Sequence, residues 1–160
     1  MISPIIPFFE GAGTDHAGRK LQDILDWPDA QLESVHDYIQ WVFPNRRASP
    51  YNPHAPLLTP DVISDFRDRP ALRERLAAAT DRMEKFYKLS EERPWWVVPA
   101  DHNHLRITRV LLALNALGLE KRAQDFHGKV MAAVWRSKGA PTASVVIPSR
   151  TLAIWLEAME

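Results

Sequence analysis

The chain has 160 residues, about one domain, with 46% apolar and 25% charged residues, and a chain of that size buries a core without staples. Twenty basic residues balance twenty acidic ones, so no net field draws the protein to nucleic acid or anionic lipid. There is no cysteine, which excludes disulfides, thiolate nucleophiles and Cys-bearing zinc sites. No apolar run approaches the roughly 18 residues of a membrane span, and the N-terminus lacks the basic start of a signal peptide. A soluble, cytoplasmic protein is expected.

In chain order, Gly11, Gly13 and Gly18 open a flexible N-terminal passage. Leu21, Ile24 and Leu25 recur at helical spacing within a short helix from Lys20 to Trp27. Pro28 suits the start of a second helix over Asp29–Phe43, striped by Leu32, Val35, Ile39 and Val42 and stopped before Pro44. Pro44 to Pro60 holds five prolines and reads as a wrapping or functional loop. Thr59 caps a short helix through Phe66. From Pro70, Leu72, Leu76, Ala79, Met83 and Phe86 make the clearest amphipathic helix in the chain. A loop with Pro94, Trp95, Trp96 and Pro99 leads to a helix capped at Asp101 or His102 and ended by Gly118. This helix is apolar nearly all round, the pattern of a buried central helix. Glu120 to Arg136 forms the next, broken by Gly139 and Pro141. Thr142–Pro148 is an extended link, and Ser149 caps a last helix. The sum is one all-α domain over residues 1–160, with about six or seven helices, a Pro-rich wrapping loop and no sheet.

Two constellations concentrate chemistry. In His36-Asp37-Tyr38-Ile39-Gln40-Trp41-Val42-Phe43-Pro44, a helix makes His36 and Gln40 neighbours and turns Trp41 away from the stripe. Trp41 is then either a core residue under the Pro-rich loop or the aromatic floor of a binding groove. In Asp101-His102-Asn103-His104-Leu105-Arg106-Ile107-Thr108-Arg109, His102 and His104 diverge on a helix, so no metal site is expected. Arg106 and Arg109 lie one turn apart on a helix that belongs inside. They pair with a carboxylate such as Asp37, Asp61 or Asp65, or with a loop carbonyl, or they hold a ligand anion. Arg109 is expected to be structural, and Arg106 is left open between the two roles. Trp95 and Trp96 beside Pro94 read as a loop anchor before they read as a stacking platform. No phosphate-binding glycine loop, triad or metal set is legible, and no cofactor is expected.

These strings resemble a known family. Gly18 to Trp27, His36 to Pro44, Ala55-Pro56-Leu57-Leu58-Thr59, Asn103 to Arg109 and Leu117-Gly118-Leu119 are similar in order and spacing to the conserved N-terminal region of the opioid growth factor receptor family, over about residues 8 to 130. The resemblance implies a non-enzymatic, receptor-like or adaptor domain. In vertebrates the family is associated with Met-enkephalin and with nuclear and perinuclear-membrane locations. The basic import segments and repeats of the vertebrate proteins have no counterpart here, and no catalytic residues carry over. A peptide or protein partner is expected, met by His36, Tyr38, Gln40, Trp41, Asn103, His104, Arg106 and Arg109. Two other classes stay open: a small enzyme using His36 or His104 as acid–base, and, less favoured, a nucleic-acid binder using Arg106, Arg109 and the Trp95–Trp96 loop.

Overall fold

The computed structural model describes residues 2–137 and 146–160. Among them the chain is all helical, and its only ladder-like pairing is an isolated bridge between Ser49 and Asn52. The helices are α1 (Ile5–Glu10), α2 (Leu21–Leu25), α3 (Asp29–Ser34), α4 (Ile39–Val42), α5 (Pro60–Asp68), α6 (Pro70–Phe86), α7 (Asn103–Ala116), α8 (Glu120–Ser137) and α9 (Ser149–Glu157). None is long and apolar enough to cross a membrane.

The all-α expectation holds, with two helices more than the sequence pattern provides. The first is α1. Its Pro4 and Pro7 lie at the N-cap and in the first turn, where amides have no intrahelical partner, so the prolines that obscure the segment do not prevent the helix. Ile5, Phe8 and Phe9 are buried, and Gly11 closes the helix at φ +83°. The passage after it is organised rather than open. Asp15 is buried, its Oδ1 accepts from the amides of Ala17 and Arg19 at 2.9 Å each, and its Oδ2 accepts from Arg19 Nε at 2.6 Å.

The second addition comes from a break. The single helix expected over Asp29–Phe43 is two, because Val35 turns to an extended conformation. The C-terminal carbonyls of α3, which a continuous helix would use internally, are taken by side chains. Tyr38 Oη donates to Leu32 O at 2.7 Å, while Arg106 donates to Leu32 O at 2.7 Å and Val35 O at 2.9 Å. Contacts from 74 and 71 residues away thus override the local helical pattern.

Elsewhere local signals suffice. Thr59 accepts from the Val62 amide and caps α5, with Pro60 at the first helical position. The predicted stripe of α6 is buried in full. Gly118, at φ +87°, lets the chain turn out of α7, and a Cβ there would press within 3.2 Å of Arg67. Ser149 does not cap α9: Pro148 stands at that position and Ser149 is the first helical residue. The extended link expected from Thr142, with Gly139 and Pro141 before it, lies outside the described residues as far as Val145; Ile147 beyond it is buried.

α7 holds the centre, packed against α8, α9 and α4. Ile107, Val110, Leu111 and Leu114 are fully buried. Burial all round does not follow, since Leu105 and Leu112 remain 55% and 39% exposed. That open side of α7 is where the candidate site lies.

Candidate functional site

The two sequence constellations do meet. Between α4, the Pro-rich loop and the open side of α7 runs a groove of about 720 Å³. His36, Ile39 and Gln40 form one wall, Asn45 and residues 47–51 of the loop a second, and His102, Leu105, Arg106, Thr108, Arg109 and Leu112 the floor. Of the eight expected site residues, His36, Gln40, Arg106 and Arg109 line it; Tyr38, Trp41, Asn103 and His104 are not among its lining.

The four that do not line the groove support the fold. Trp41, 6% exposed, is covered in part from the N-terminal segment: Phe8 meets it edge-on at 5.4 Å and His16 stacks at 6.3 Å. Its Nε1 is buried without a partner. Tyr38 is fully buried beneath Arg106, and burial raises its phenol to a pKa of about 12. His104 donates from Nε2 to Trp96 O at 2.8 Å, while its own carbonyl accepts from Trp155 Nε1 at 3.1 Å. Trp96 is buried and bonded to Tyr87 O at 2.7 Å, and Trp95 packs on Phe86, so the Trp pair anchors its loop. Asn103 Nδ2 donates to Glu33 Oε2 at 3.0 Å and Asp101 Oδ1 at 2.9 Å. The Asn103 amide in turn bonds to Asp101 Oδ1, which starts α7.

Glu33, Asp101 and His102 bring ligand atoms within 4.8 Å of one another, a convergence hidden by their distance in sequence. The cluster is satisfied internally. His102 Nε2 lies 2.9 Å from Glu33 Oε1, and Asn103 donates into both carboxylates. Next to it, His36 and His102 meet edge-on at 5.1 Å. Burial, then the charges of Arg106 and His102, hold the His36 pKa below its usual value. Neutral His36 suits its place, since Arg106 Nη2 lies 3.3 Å from Nδ1 and needs a lone pair there.

The structural role falls to Arg106, which the sequence left undecided, and not to Arg109, for which it was expected. Arg106, 4% exposed, is the structural one, tied to the carbonyls at the α3–α4 break. Arg109 has no ion pair among the described residues, and its Nε is buried without a partner. Burial lowers its pKa to about 10, so it stays charged at neutral pH. Its one close acceptor among the described residues is neutral: with the Asn45 amide turned, the amide oxygen sits 3.3 Å from Arg109 Nη1. The carboxylates expected for these arginines are not theirs. Asp37 is held by Arg19 at 2.9 Å and by His16 at 3.0 Å, and neither Asp61 nor Asp65 pairs with Arg106 or Arg109.

The groove also gathers residues that sequence reasoning missed: Asn45, Arg47, Tyr51, Leu105 and Leu112. Tyr51 is 80% exposed. The apolar groove expected from the loop and Trp41 is made instead by the loop and the two leucines. A full-circumference apolar pattern on α7 was the available signal, since it marks a side that core neighbours need not fill.

The opioid growth factor receptor (OGFr) conserved region, as a family, matches residues 20–130. The chain belongs to that family. Among curated relatives, the mouse and rat opioid growth factor receptors are each 38% identical to it over 121 residues, covering 64% of this chain and 19% and 21% of theirs. Opioid growth factor receptor-like protein 1 of Xenopus tropicalis is 32% identical over 120 residues, covering 64% of this chain and 23% of its own. The chain therefore spans about a fifth of the length of these relatives. No solved structure matches it significantly. Every residue lining the groove falls inside the family's matched span, whereas α1 and α9 lie outside it.

Proposed function

We propose that this conserved-region domain is a non-catalytic, receptor-like or adaptor module that binds a peptide or protein segment in the groove beside α7. The observation that carries the reading is the convergence of exposed apolar side chains, Tyr51, Leu105 and Leu112, on one concave site of about 720 Å³. Exposed leucines scattered singly need no explanation, but apolar residues gathered on a groove rimmed by polar groups mark a docking surface. The word "receptor" in the relatives' names agrees with a binding role.

An acid–base role would fall to His36 or His102, because His104 is engaged with Trp96. Among the described residues no serine or threonine is hydrogen-bonded to either ring, and the one carboxylate bonded to His102 is Glu33, held in turn by Asn103. Binding is therefore the stronger reading.

Selection of displayed peptides on the purified domain tests it. Enriched peptides should bind the wild-type protein and lose about tenfold or more in affinity on Leu112→Asp, with helicity and urea midpoint unchanged. Peptides that bind this variant as tightly as the wild type would place recognition elsewhere and sink the proposal.

A further inference from the structure

The lining of the groove is electrostatically one-sided. It carries Arg47, Arg106 and Arg109 with two histidines, and no aspartate or glutamate. In a chain whose formal charge is zero, the acids are balanced elsewhere. Arg106 is engaged by backbone carbonyls, but Arg47 and Arg109 have no ion pair among the described residues. An exposed arginine such as Arg47 is ordinary. A half-buried guanidinium such as Arg109, with a buried unpartnered Nε and only an amide oxygen in reach, is not, because a desolvated cation calls for an anion.

The groove also runs on. A second depression of about 510 Å³ shares Asn45, Arg47, Thr108 and Leu112 with it and extends to Arg46, Ile154 and Glu157, the last an acid that lies beyond the shared stretch. The occupant is thus carried past Arg109 rather than stopped there, as an internal segment would be and a chain terminus need not be. Leu105 and Leu112, seven residues apart, are about 10 Å from each other along α7. An amphipathic helix lying alongside would present its own apolar side chains at the same interval.

We infer that the occupant is an acidic amphipathic helical segment of another protein, which lies along α7 with apolar side chains on Leu105 and Leu112 and carboxylates on Arg109 and Arg47. This rests on the groove being a segment-binding site, and it adds the charge, amphipathicity and direction of travel of the segment. The guanidinium–carboxylate pair formed at Arg109 would be part desolvated, so it would discriminate more strongly than a rim contact.

The test uses three synthetic peptides of about two heptads, with leucines seven apart and flanking positions that are all Glu, all Gln or all Lys, titrated by fluorescence anisotropy. The Glu peptide should bind the wild-type domain about tenfold or more tightly than the Gln peptide, and the Lys peptide should bind weakest. Arg109→Gln should remove most of the preference, and Arg109→Glu should transfer it to the Lys peptide. Arg47→Gln, on an exposed loop, should reduce it in part and covers the case in which an Arg109 variant does not fold. If the Gln peptide binds as tightly as the Glu peptide and loses affinity on Leu112→Asp, the groove remains a binding site and the acidic occupant is wrong. If none of the three peptides binds, the acidic occupant is wrong again, and the peptide selection on Leu112→Asp then decides the fate of the groove itself.

Discussion

At the α3–α4 break the Arg106 guanidinium meets Leu32 O, Val35 O and Tyr38 Oη within 3.2 Å; one turn along the same helix, Arg109 faces a groove whose described lining holds no carboxylate. The chemistry of the two side chains is identical and their environments are opposite. Arg106 meets the end of a helix, where orphan carbonyls are plentiful and a cation is favoured. Arg109 meets a loop that offers it one neutral amide. A satisfied buried charge organises the protein around itself, whereas an unsatisfied one keeps its capacity to pair with something else.

The largest expected effect tests the first half of that contrast. Arg106→Met takes from Val35 O its side-chain donor and leaves Leu32 O with Tyr38 Oη alone, and should cost about 3–5 kcal/mol in urea unfolding. A loss below about 1 kcal/mol would show that the break does not depend on the guanidinium. Tyr38→Phe removes one donor to Leu32 O and one acceptor for Arg106 while keeping the ring, and about 1–2 kcal/mol is expected. For Arg109→Met the contrast demands the opposite outcome. Stability should change by less than about 1 kcal/mol, and a gain is acceptable, because only a neutral contact with Asn45 and no ion pair among the described residues is lost. A cost as large as that of Arg106→Met would erase the distinction between the two.

Much of this was legible in the sequence, and the parts that were not share a cause. The stripes of α6 and α8, the Thr59-Pro60 start of α5 and the Gly118 stop are local, and local rules find them. The meeting of the His36 and Asn103 regions was legible as two strings rich in polar and aromatic residues. The interior of residues 29–43 was not, because Arg106, Tyr38 and α3 meet only in the folded chain. That the structural role fell to Arg106 and not to Arg109 has the same origin: spacing puts both on one helix and says nothing of what each will face. Trp41 was expected to be covered and is, but the ring of Phe8 that packs on it comes from α1, a helix disguised by two prolines.

The smallest effect is one of pH. His36 is held neutral by burial and by Arg106 beside its Nδ1, so its pKa in the folded protein lies below that of the unfolded chain, about 6.5. Above that value neither state binds the proton and stability is unaffected. As pH falls through it, the unfolded chain is protonated first, and stability declines until the folded-state pKa is passed. The urea midpoint should fall between pH 7 and pH 5, and His36→Gln should flatten part of that decline. His127, also lowered by burial, supplies a remainder that this variant does not touch. A slope unchanged by His36→Gln would mean that Arg106 does not hold the imidazole in its neutral form.

The break between α3 and α4 also bears on the order in which the chain assembles. Residues 29–43 carry the spacing of one continuous helix, and the groups that divide it include a guanidinium more than seventy residues downstream. Until that residue has been made and α7 has docked, the local pattern is free to express itself, and a peptide of residues 29–43 should show nuclear magnetic resonance signatures of helix running through Val35. Docking of α7 then interrupts a helix instead of extending one. The groove wall that carries His36 comes into being at that moment, so the binding surface and the core around Arg106 are completed in a single late step of folding.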